Sequence, residues 1–346
     1  MLCRERKRSE RSRKQLLLML IDHDQDRPEI ELSSLLTAAA VALSPVIRET
    51  DLMGWFEANC VLGVIFTEFG ESDASLAAKA IEAKVTGLLQ QGVTARRLTS
   101  VRISFYVFPD NWSENGRLVN SVLYPDLCEV QERKKSSLVI KRSMDIIGSL
   151  CALMVLSPVF AILAALVKLT SRGPAFFRQQ RVGHYGTRFV LLKFRSMHIS
   201  ADDRIHKDYV KNFIAGRDAA ASGTPEKKQF KITNDPRVTW IGKFMRRTSL
   251  DELPQFWNVL RGDMSLVGPR PPIPYELEAY DLWHRRRLLE AMPGITGLWQ
   301  VQGRSKTTFD EMVRLDLKYS RSWSPILDVK ILLQTPRAVF SGDGAY

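Results

Sequence analysis

The alternation of hydrophobic and polar positions along the first 126 residues predicts a small unit of strands and helices. Short apolar runs bounded by turn residues indicate strands, and longer runs with helical spacing indicate helices. Apolar residues 16–21 follow a basic start and end in acids without a small-residue cleavage site, which predicts a strand and no signal peptide. The expected order is strand, helix, strand, turn, strand, helix, strand, carried by "LLLMLIDHDQD", "VIRETDLMGWFEANCVLGVIFTEF", "AAKAIEAKVTGLL" and "VRISFYVFPDN".

A second pattern, an uncharged run from Ile146 to Val167, has the composition of a membrane segment. A straight helix of about 22 residues is roughly 33 Å long, enough to cross a bilayer. Ser157 and Pro158 interrupt it near the middle, where a proline kinks a helix. Both flanks are basic, with Lys134, Lys135, Lys141 and Arg142 before and Lys168 and Arg172 after. Because positive flanks favour the cytoplasmic side, we expect a re-entrant helix at about 143–169, ahead of a spanning helix and of a buried core helix.

The rest of the chain alternates Gly/Pro turns with short segments. Residues 176–197 predict a hairpin around a turn at Gly183–Gly186, and residues 292–304 predict a strand-like segment. An exposed loop is expected at 222–228. The segment from Phe309 predicts an amphipathic helix that packs in a core or lies on a membrane. Residues 127–137 are polar and predict a linker, which gives domains at 1–126 and 138–346 and a mixed α/β (α+β) fold.

Composition narrows the classes of partner. The formal net charge of +12 over 346 residues favours anionic partners, namely nucleic acid, phosphorylated substrates or an anionic membrane surface. No helix-turn-helix, zinc-finger or RNA-binding signature accompanies the charge, so we expect no nucleic-acid partner. The 4 cysteines show neither metal nor disulfide spacing, which fits a reducing compartment.

Candidate chemistry lies in "RRTSLDELPQFWNVLRGDMSLVGPRPP", where Asp251 and Glu252 stand between arginine pairs and a Gly/Pro-rich turn. One interpretation is structural: Ser249 and Glu252 have capping-box spacing, and acids stabilise a first helical turn. Pro254 is tolerated only near a helix start, which predicts a helix beginning near Asp251 with both carboxylates at its positive end. That end also attracts phosphate, so the motif by itself leaves capping and phosphate chemistry open.

The motifs that follow position 138 resemble the bacterial sugar transferases of the monotopic phosphoglycosyl transferase family. The resemblance covers about residues 138–340 and rests on "KRSMDIIGSL", "LSPVF", "GPAFFRQQRVG", "KFRSM", "IGKFMRRTSLDELPQFWNVLRGDMSLVGPRP", "PGITGLWQVQGR" and "LDLKYSRSWSPILDVKILLQT". It implies a membrane helix broken at Ser157-Pro158. It also implies Mg²⁺-dependent transfer of a sugar 1-phosphate from a UDP-sugar to a polyprenol phosphate such as undecaprenyl phosphate, with release of UMP. That reaction would begin exopolysaccharide, capsule or O-antigen assembly at the cytoplasmic face of the bacterial inner membrane.

The same resemblance gives roles to individual residues. Asp251 would be the nucleophile that forms a covalent phosphosugar intermediate, and Glu252 would assist the metal or the acceptor. Because a carboxylate attacking a phosphoryl group is repelled, the site needs cations, and the planar guanidinium suits phosphate. Metal ligands would be Asp251 and Glu252. The candidates for substrate binding are Lys193, Arg195, Arg246, Arg247, Asp263, Arg270 and Arg304. For Asp263 and the Asp235-Pro-Arg237 motif, turn formation is an equal alternative.

The order of elements in residues 1–126 resembles a degenerate diguanylate cyclase fold of the GGDEF type. Its signature loop would fall at residues 57–61, where the glycines and acids needed for cyclase chemistry are missing, so we expect no cyclase activity. Arg48 and Asp51 form an RxxD pattern in the register of an inhibitory cyclic di-GMP site. The alternative is a remnant used for dimerisation or docking, and the apolar terminal helices could also support a homodimer.

A competing interpretation of the whole chain is a non-catalytic membrane scaffold or sensor built on a decayed transferase. The intact Asp251-Glu252 pair argues against decay of the second domain, whereas the signature of the first is lost. Extraction separates a third class, a nucleic-acid-binding protein, because such a protein would leave membranes in high salt while an inserted helix would need detergent. The sugar and the pathway stay open.

Overall fold

The computed structural model describes residues 1–12, 14–23, 29–45, 47–67, 74–92, 101–109, 121–127, 135–198, 210–215, 237–303 and 307–340. The chain divides into two compact units, of which the first ends at Asp126 and the second contains Leu127–Tyr346. Each unit has its own hydrophobic core.

The first unit is a four-stranded antiparallel sheet with helices, and its strand order is β2-β3-β1-β4. Its elements follow the predicted order, with an additional N-terminal helix. They are α1 (Leu2–Ser12), β1 (Leu16–His23), α2 (Glu29–Leu43), β2 (Leu52–Glu57), β3 (Val61–Phe66), α3 (Ala74–Gly92) and β4 (Val101–Phe108). The central strand β1 pairs with β3 and β4 on either side, and its residues 16–21, which point alternately to the two faces of the sheet, are all buried. This explains its continuous apolar run.

Helix α1 was not predicted, and a distant ion pair accounts for it. The guanidinium of Arg6 donates to both carboxylate oxygens of Asp126, at 2.9 and 2.8 Å, and to the carbonyl of Leu123 at 2.7 Å. Its partners follow more than a hundred positions later in the chain. No periodicity within residues 2–12 could reveal that contact, because their sequence is almost wholly polar.

The second unit is mainly helical. Its first elements are α4 (Lys135–Val155), α5 (Ser157–Thr170), β5 (Phe176–Val182), β6 (Arg188–Phe194), α6 (Trp240–Thr248) and α7 (Gln255–Arg261). The later ones are β7 (Ser265–Val267), α8 (Pro274–Glu278), α9 (Leu282–Glu290), β8 (Gly294–Thr296), α10 (Leu298–Gln302), α11 (Phe309–Ser322) and α12 (Pro325–Phe340). Strands β5 and β6 form the predicted antiparallel hairpin, whose turn places Tyr185 at φ 54°. Strands β7 and β8 pair in parallel.

Helices α4 and α5 form a bent pair. Among the described residues no single helix is both long and apolar enough to cross a bilayer, but Ser136–Val155 and Ser157–Thr170 together meet that requirement and are bent by 62°. The helix breaks at Leu156, and Pro158 lies in the first turn of α5, where its missing N–H costs nothing. The hydroxyl of Ser157 donates to the carbonyl of Met154 at 2.8 Å.

Three predictions about elements need correction. Helix α4 begins at Lys135, inside the predicted linker. The strand-like segment at 292–304 contains only β8, because residues 298–302 form helix α10. The segment from Phe309, which was predicted as one helix, forms two helices separated at Trp323–Ser324. The loop predicted at 222–228 lies outside the described residues.

Candidate active site

The acidic pair occupies a short turn between two helices. Helix α6 ends at Thr248, Ser249 adopts the left-handed conformation with φ 56°, and Leu250–Glu252 form one 3₁₀ turn. The α-helix that follows begins only at Gln255, with Pro254 as its N-cap. The predicted capping box is therefore wrong, because Ser249 closes the preceding helix and its side chain caps nothing.

The hairpin brings a cation to this turn. The ammonium of Lys193, near the end of β6, lies 2.8 Å from Oε1 of Glu252, and both side chains are partly exposed. Asp251 beside it is buried. The amide side chain of Asn258 on α7 fixes the strand, since it accepts from the N–H of Leu192 and donates to the carbonyl of Val190. These contacts hold the strand end and the acidic turn together.

Two further arginines lie at the same end of β6. Arg195 is 6 % exposed, and its Nη2 donates to the carbonyl and hydroxyl of Ser171, just after α5. Its Nε and Nη1 have no hydrogen-bond partner among the described residues. Arg246 on α6 donates from Nε to the hydroxyl of Ser196 at 2.9 Å. The predicted residues Lys193, Arg195 and Arg246 are therefore gathered along one strand end, beside the end of the bent helix pair.

Other predicted residues have different surroundings. Arg247 lies exposed on the face of α6 that also carries Trp240 and Phe244. Asp263 follows α7, and its carboxylate accepts from the side chain of Asn258 at 3.2 Å, a turn-stabilising role. Arg304 and Asp235 lie outside the described residues, so their predicted roles stay predictions.

The Gly/Pro-rich turn carries Arg270, whose guanidinium lies 3.9 Å from the buried carboxylate of Glu276. Sequence reasoning missed Arg181 on β5, which is 5 % exposed and donates to the carbonyl of Pro271 at 2.9 Å. Burial lowers the pKa of Arg181 to about 10, helped by the charge of Arg270 and opposed by Glu276 and Glu252. The acidic turn and the Arg270 turn therefore lie within electrostatic reach of one guanidinium.

Near the start of α4, the bent helix pair is bound to the rest of the second unit. The ammonium of Lys141 lies 2.7 Å from the carboxylate of Asp328 on α12 and also donates to Tyr319 and to the carbonyl of Val267. Arg142 donates to the carbonyls of Val259 and Leu260 at the end of α7, at 2.6 and 2.7 Å. These two basic residues of the predicted flank therefore bind protein groups, and their contacts fix the orientation of α4 relative to the rest of the second unit.

In the first unit, the carboxylate of Asp51 holds a turn. Its oxygens accept from the backbone N–H groups of Thr67, at 3.1 Å, and Arg48, at 3.3 Å. The side chain of Arg48 is exposed. Of the two residues in the RxxD pattern, Arg48 is exposed, whereas Asp51 is partly buried and its carboxylate is used by the turn.

Comparison with known proteins adds evidence for the second unit. A model of the bacterial sugar transferase family, described as "Bacterial sugar transferase", matches residues 136–342. The chain is 47 % identical over 214 residues to "Galactosyl transferase CpsE" of Streptococcus agalactiae, an alignment that covers 61 % of this chain and 44 % of the relative.

Two other relatives carry names that specify donor or acceptor. "Undecaprenyl-phosphate galactose phosphotransferase" of Salmonella typhimurium is 44 % identical over 215 residues, 62 % of this chain and 43 % of its own. "UDP-glucose:undecaprenyl-phosphate glucose-1-phosphate transferase" of Escherichia coli is 40 % identical over 220 residues, 60 % of this chain and 42 % of its own. The chain thus spans less than half the length of these relatives.

Proposed function

Because the chain belongs to the bacterial sugar transferase family, we propose that it transfers a sugar 1-phosphate from a UDP-sugar to undecaprenyl phosphate and releases UMP. The names of two relatives support this donor and acceptor. The observation that carries the proposal is the turn of Asp251 and Glu252, with Lys193 bound to Glu252. Arg195 follows the same strand, and Arg246 on α6 donates to Ser196 at that strand end. This arrangement combines a nucleophile with the cations that a phosphoryl centre requires.

The proposed chemistry has two displacements at one phosphorus atom. A carboxylate oxygen of Asp251 bonds to the β-phosphorus, and the bond from that phosphorus to the bridging oxygen breaks as UMP leaves with the electron pair. A phosphate oxygen of undecaprenyl phosphate then attacks the same phosphorus, and the electron pair of the acyl-phosphate bond returns to Asp251. Neither step needs a base to create the nucleophile, because carboxylates and phosphates are ionised at neutral pH.

The chain's own residues fit a magnesium ion of the kind held jointly by protein and substrate. Mg²⁺ is typically bound by one or two carboxylates together with substrate phosphates. Asp251 and Glu252 supply two adjacent carboxylates, and among the described residues no cluster of three or more His, Cys, Asp or Glu side chains converges. When bound there, Mg²⁺ would neutralise phosphate charge. Lys193 would keep the carboxylate of Glu252 oriented next to the ion.

The surface of the second unit supports a membrane location, which we propose is the cytoplasmic face of the inner membrane with a re-entrant α4–α5 pair. Large apolar side chains on the pair are exposed, among them Ile147, Val155, Ile162 and Leu169. A protein in water rarely exposes so many contiguous apolar groups. Helix α6 adds exposed Trp240 and Phe244 on the same face as Lys243 and Arg247, the mixture found at membrane interfaces.

The deciding experiment measures UMP release by detergent-purified protein. A panel of UDP-sugars is supplied with Mg²⁺, with and without undecaprenyl phosphate, beside the Asp251→Asn variant. We expect one donor to give UMP, turnover to require the lipid acceptor, and the variant to be inactive. Donor alone should leave a phosphosugar adduct on the wild-type protein, detectable as added mass on the peptide that contains Asp251. Folded protein that releases no UMP from any donor would favour the scaffold interpretation.

For the first unit we propose a degenerate GGDEF-like domain, supported by its order of strands and helices and its antiparallel sheet. The exposed guanidinium of Arg48 is the group that an anionic dinucleotide would meet first. Calorimetric titration of the whole protein with cyclic di-GMP tests this, beside Arg48→Ala. Binding that the variant loses would support a sensor role, and no heat at high micromolar ligand would leave the domain as a docking element.

A further inference from the structure

The turn that carries Arg270 is fixed by an unusual set of hydrogen bonds. Four consecutive carbonyls, from Pro269 to Pro272, each accept from another segment of the chain. The donors in order are the N–H of Gly294, the guanidinium of Arg287, the guanidinium of Arg181 and the N–H of Val182. Three of these four turn residues are prolines, which have fixed φ angles and no N–H to donate. The main chain of the turn is therefore held mainly through its carbonyl oxygens.

The two arginine donors are buried and serve the main chain of this turn. Arg181 is 5 % exposed, and its other donors both go to Oε1 of Gln179, at 3.1 and 2.7 Å. Arg287 is 1 % exposed and lies 3.4 Å from the buried carboxylate of Asp316. Burying a guanidinium is unfavourable, and a well-packed apolar side chain would stabilise a core more simply. Two buried guanidinium groups that donate to adjacent carbonyls indicate that the geometry of the turn is important.

Both guanidinium groups donate to the main chain at or next to Arg270. The carbonyl held by Arg287 belongs to Arg270 itself, and the carbonyl held by Arg181 belongs to the next residue. The side chain of Arg270 is partly exposed, whereas its ion-pair partner Glu276 is 1 % exposed and cannot reach solvent. The main chain of Arg270 is thus held by Arg287, and its side chain, which is 24 % exposed, is restrained by a buried carboxylate.

We propose that Arg181 and Arg287 are positioning residues that fix the guanidinium of Arg270 for the diphosphate of a nucleotide-sugar donor. This inference rests on the proposed function for the identity of that ligand. A guanidinium recognises phosphate oxygens through paired, directional hydrogen bonds, so its orientation decides how much binding it contributes. A displacement of about 1 Å in such a group can reduce a rate by about a hundredfold.

A double-mutant cycle tests the proposal. Arg287→Gln, Arg270→Ala and the double variant are compared for the Kd of UDP, measured by calorimetry, and for the KM values of donor and acceptor. We expect each single change to raise the Kd of UDP and the donor KM about tenfold, and the double variant to be no more than about threefold worse than Arg270→Ala. The acceptor KM should stay within about twofold. Arg181→Gln should behave as Arg287→Gln does.

Controls separate positioning from general damage to the fold. Arg286→Gln changes the neighbouring arginine on α9, which pairs with Glu290 instead of the turn, and should leave the Kd of UDP unchanged. Arg287→Lys and Arg181→Lys keep one donor and should recover part of the UDP affinity. If the glutamine variants do not fold, as judged by thermal melting, the lysine variants decide.

Full additivity of Arg287→Gln and Arg270→Ala, giving about a hundredfold loss, would overturn the proposal, as would UDP binding unaffected by either arginine. The Kd of UDP is measured without turnover. Absence of UMP release from wild-type protein would therefore count against the proposed function, while the binding cycle would still decide the inference.

Discussion

The ammonium of Lys193 and the carboxylate of Glu252 lie 2.8 Å apart and join the hairpin to the acidic turn. The pair is partly exposed, so its contribution to stability is about 1 kcal/mol or less. Its position matters more for charge. Lys193 keeps Glu252 oriented beside Asp251 and adds a positive charge where phosphates would bind.

Lys193→Gln is therefore expected to lower kcat for UMP release about a hundredfold while leaving the melting temperature almost unchanged. Arg188→Gln removes a cation from the exposed start of the same strand and should retain full activity. Steady-state UMP release and thermal melting on the same preparations make the comparison. Activity of Lys193→Gln within about twofold of wild type would exclude an electrostatic role for this lysine.

The break between α4 and α5 should depend on Ser157 and Pro158. Replacing both by alanine restores the backbone donor and removes the bond from Ser157 to Met154, so one continuous helix becomes the favoured form. We expect a cysteine introduced after residue 340 and one placed in the first unit to become accessible from opposite sides of the membrane. Pro336→Ala, which removes a proline from inside α12, should leave both on one side. Unchanged accessibility in the double variant would show that packing, not the Ser-Pro pair, determines the bend.

The contact between Lys141 and Asp328 should be important for stability. Both side chains are largely buried, at 12 % and 4 % exposure, so Asp328→Asn leaves an ammonium without its counter-ion. Breaking such a pair costs about 3 kcal/mol or more. We expect a melting temperature lower by roughly 10 °C in detergent. Asp310→Asn, at a position 53 % exposed where the amide oxygen can still accept from His284, should have a much smaller effect.

The double variant Lys141→Met/Asp328→Leu refines this test. Replacing both charges by apolar groups should recover part of the lost stability, because neither partner is then left buried without the other. The recovery should be incomplete, since the buried carboxylate of Asp145 also loses the nearby charge of Lys141. If the double variant loses as much stability as Lys141→Met and Asp328→Leu lose together, the hydrogen bonds to Tyr319 and Val267 carry the stability instead.

The buried imidazole of His184 predicts a loss of stability in mild acid. Burial lowers the pKa of His184 from 6.5 to about 4, against the opposing hydrogen bond to the carbonyl of Leu289. As pH falls from 6.5 towards 4, the unfolded chain binds a proton that the folded chain does not, so the free energy of unfolding falls, by at most about 3 kcal/mol. Above pH 6.5 this group contributes no slope.

His184→Gln removes the titrating group while keeping a side-chain donor. Its melting temperature should fall less steeply than that of wild type between about pH 7 and pH 5, a range that includes the ordinary histidine pKa of about 6.5. Parallel slopes for the two proteins would mean that other groups account for the acid sensitivity.

Local patterns predicted those parts of the fold that depend on local physics. The hairpin at Phe176–Phe194 follows from two strand-like runs around a glycine turn, and the first sheet follows from four such runs. The helix start at the acidic pair was misjudged because Ser249 adopts the left-handed conformation and closes the preceding helix, and serine has no strong preference for that conformation. Short apolar segments such as Leu298–Gln302 fit strand and helix equally well.

The site shows the same division. Asp251, Glu252 and Lys193 could be chosen because each stands at the end of an element in a polar motif. Arg181 and Arg287 were missed because their partners are 90 and 17 positions away in sequence. One signal was present: Arg287 and Leu288 follow His284 at the i+3 and i+4 positions, which places all three on one face of α9, and that face is buried. A charged residue among core positions indicates a buried polar partner that only the fold identifies.

Main-chain recognition of the proline turn has a consequence for how such proteins diversify. Arg181 and Arg287 bind carbonyl oxygens, which every amino acid possesses, so the shape of the turn does not depend on which side chain stands at position 270. Substitutions there would leave these main-chain contacts in place, and only the buried carboxylate of Glu276 would need another partner. The shape of the turn can therefore be kept while the side chain at its second position changes.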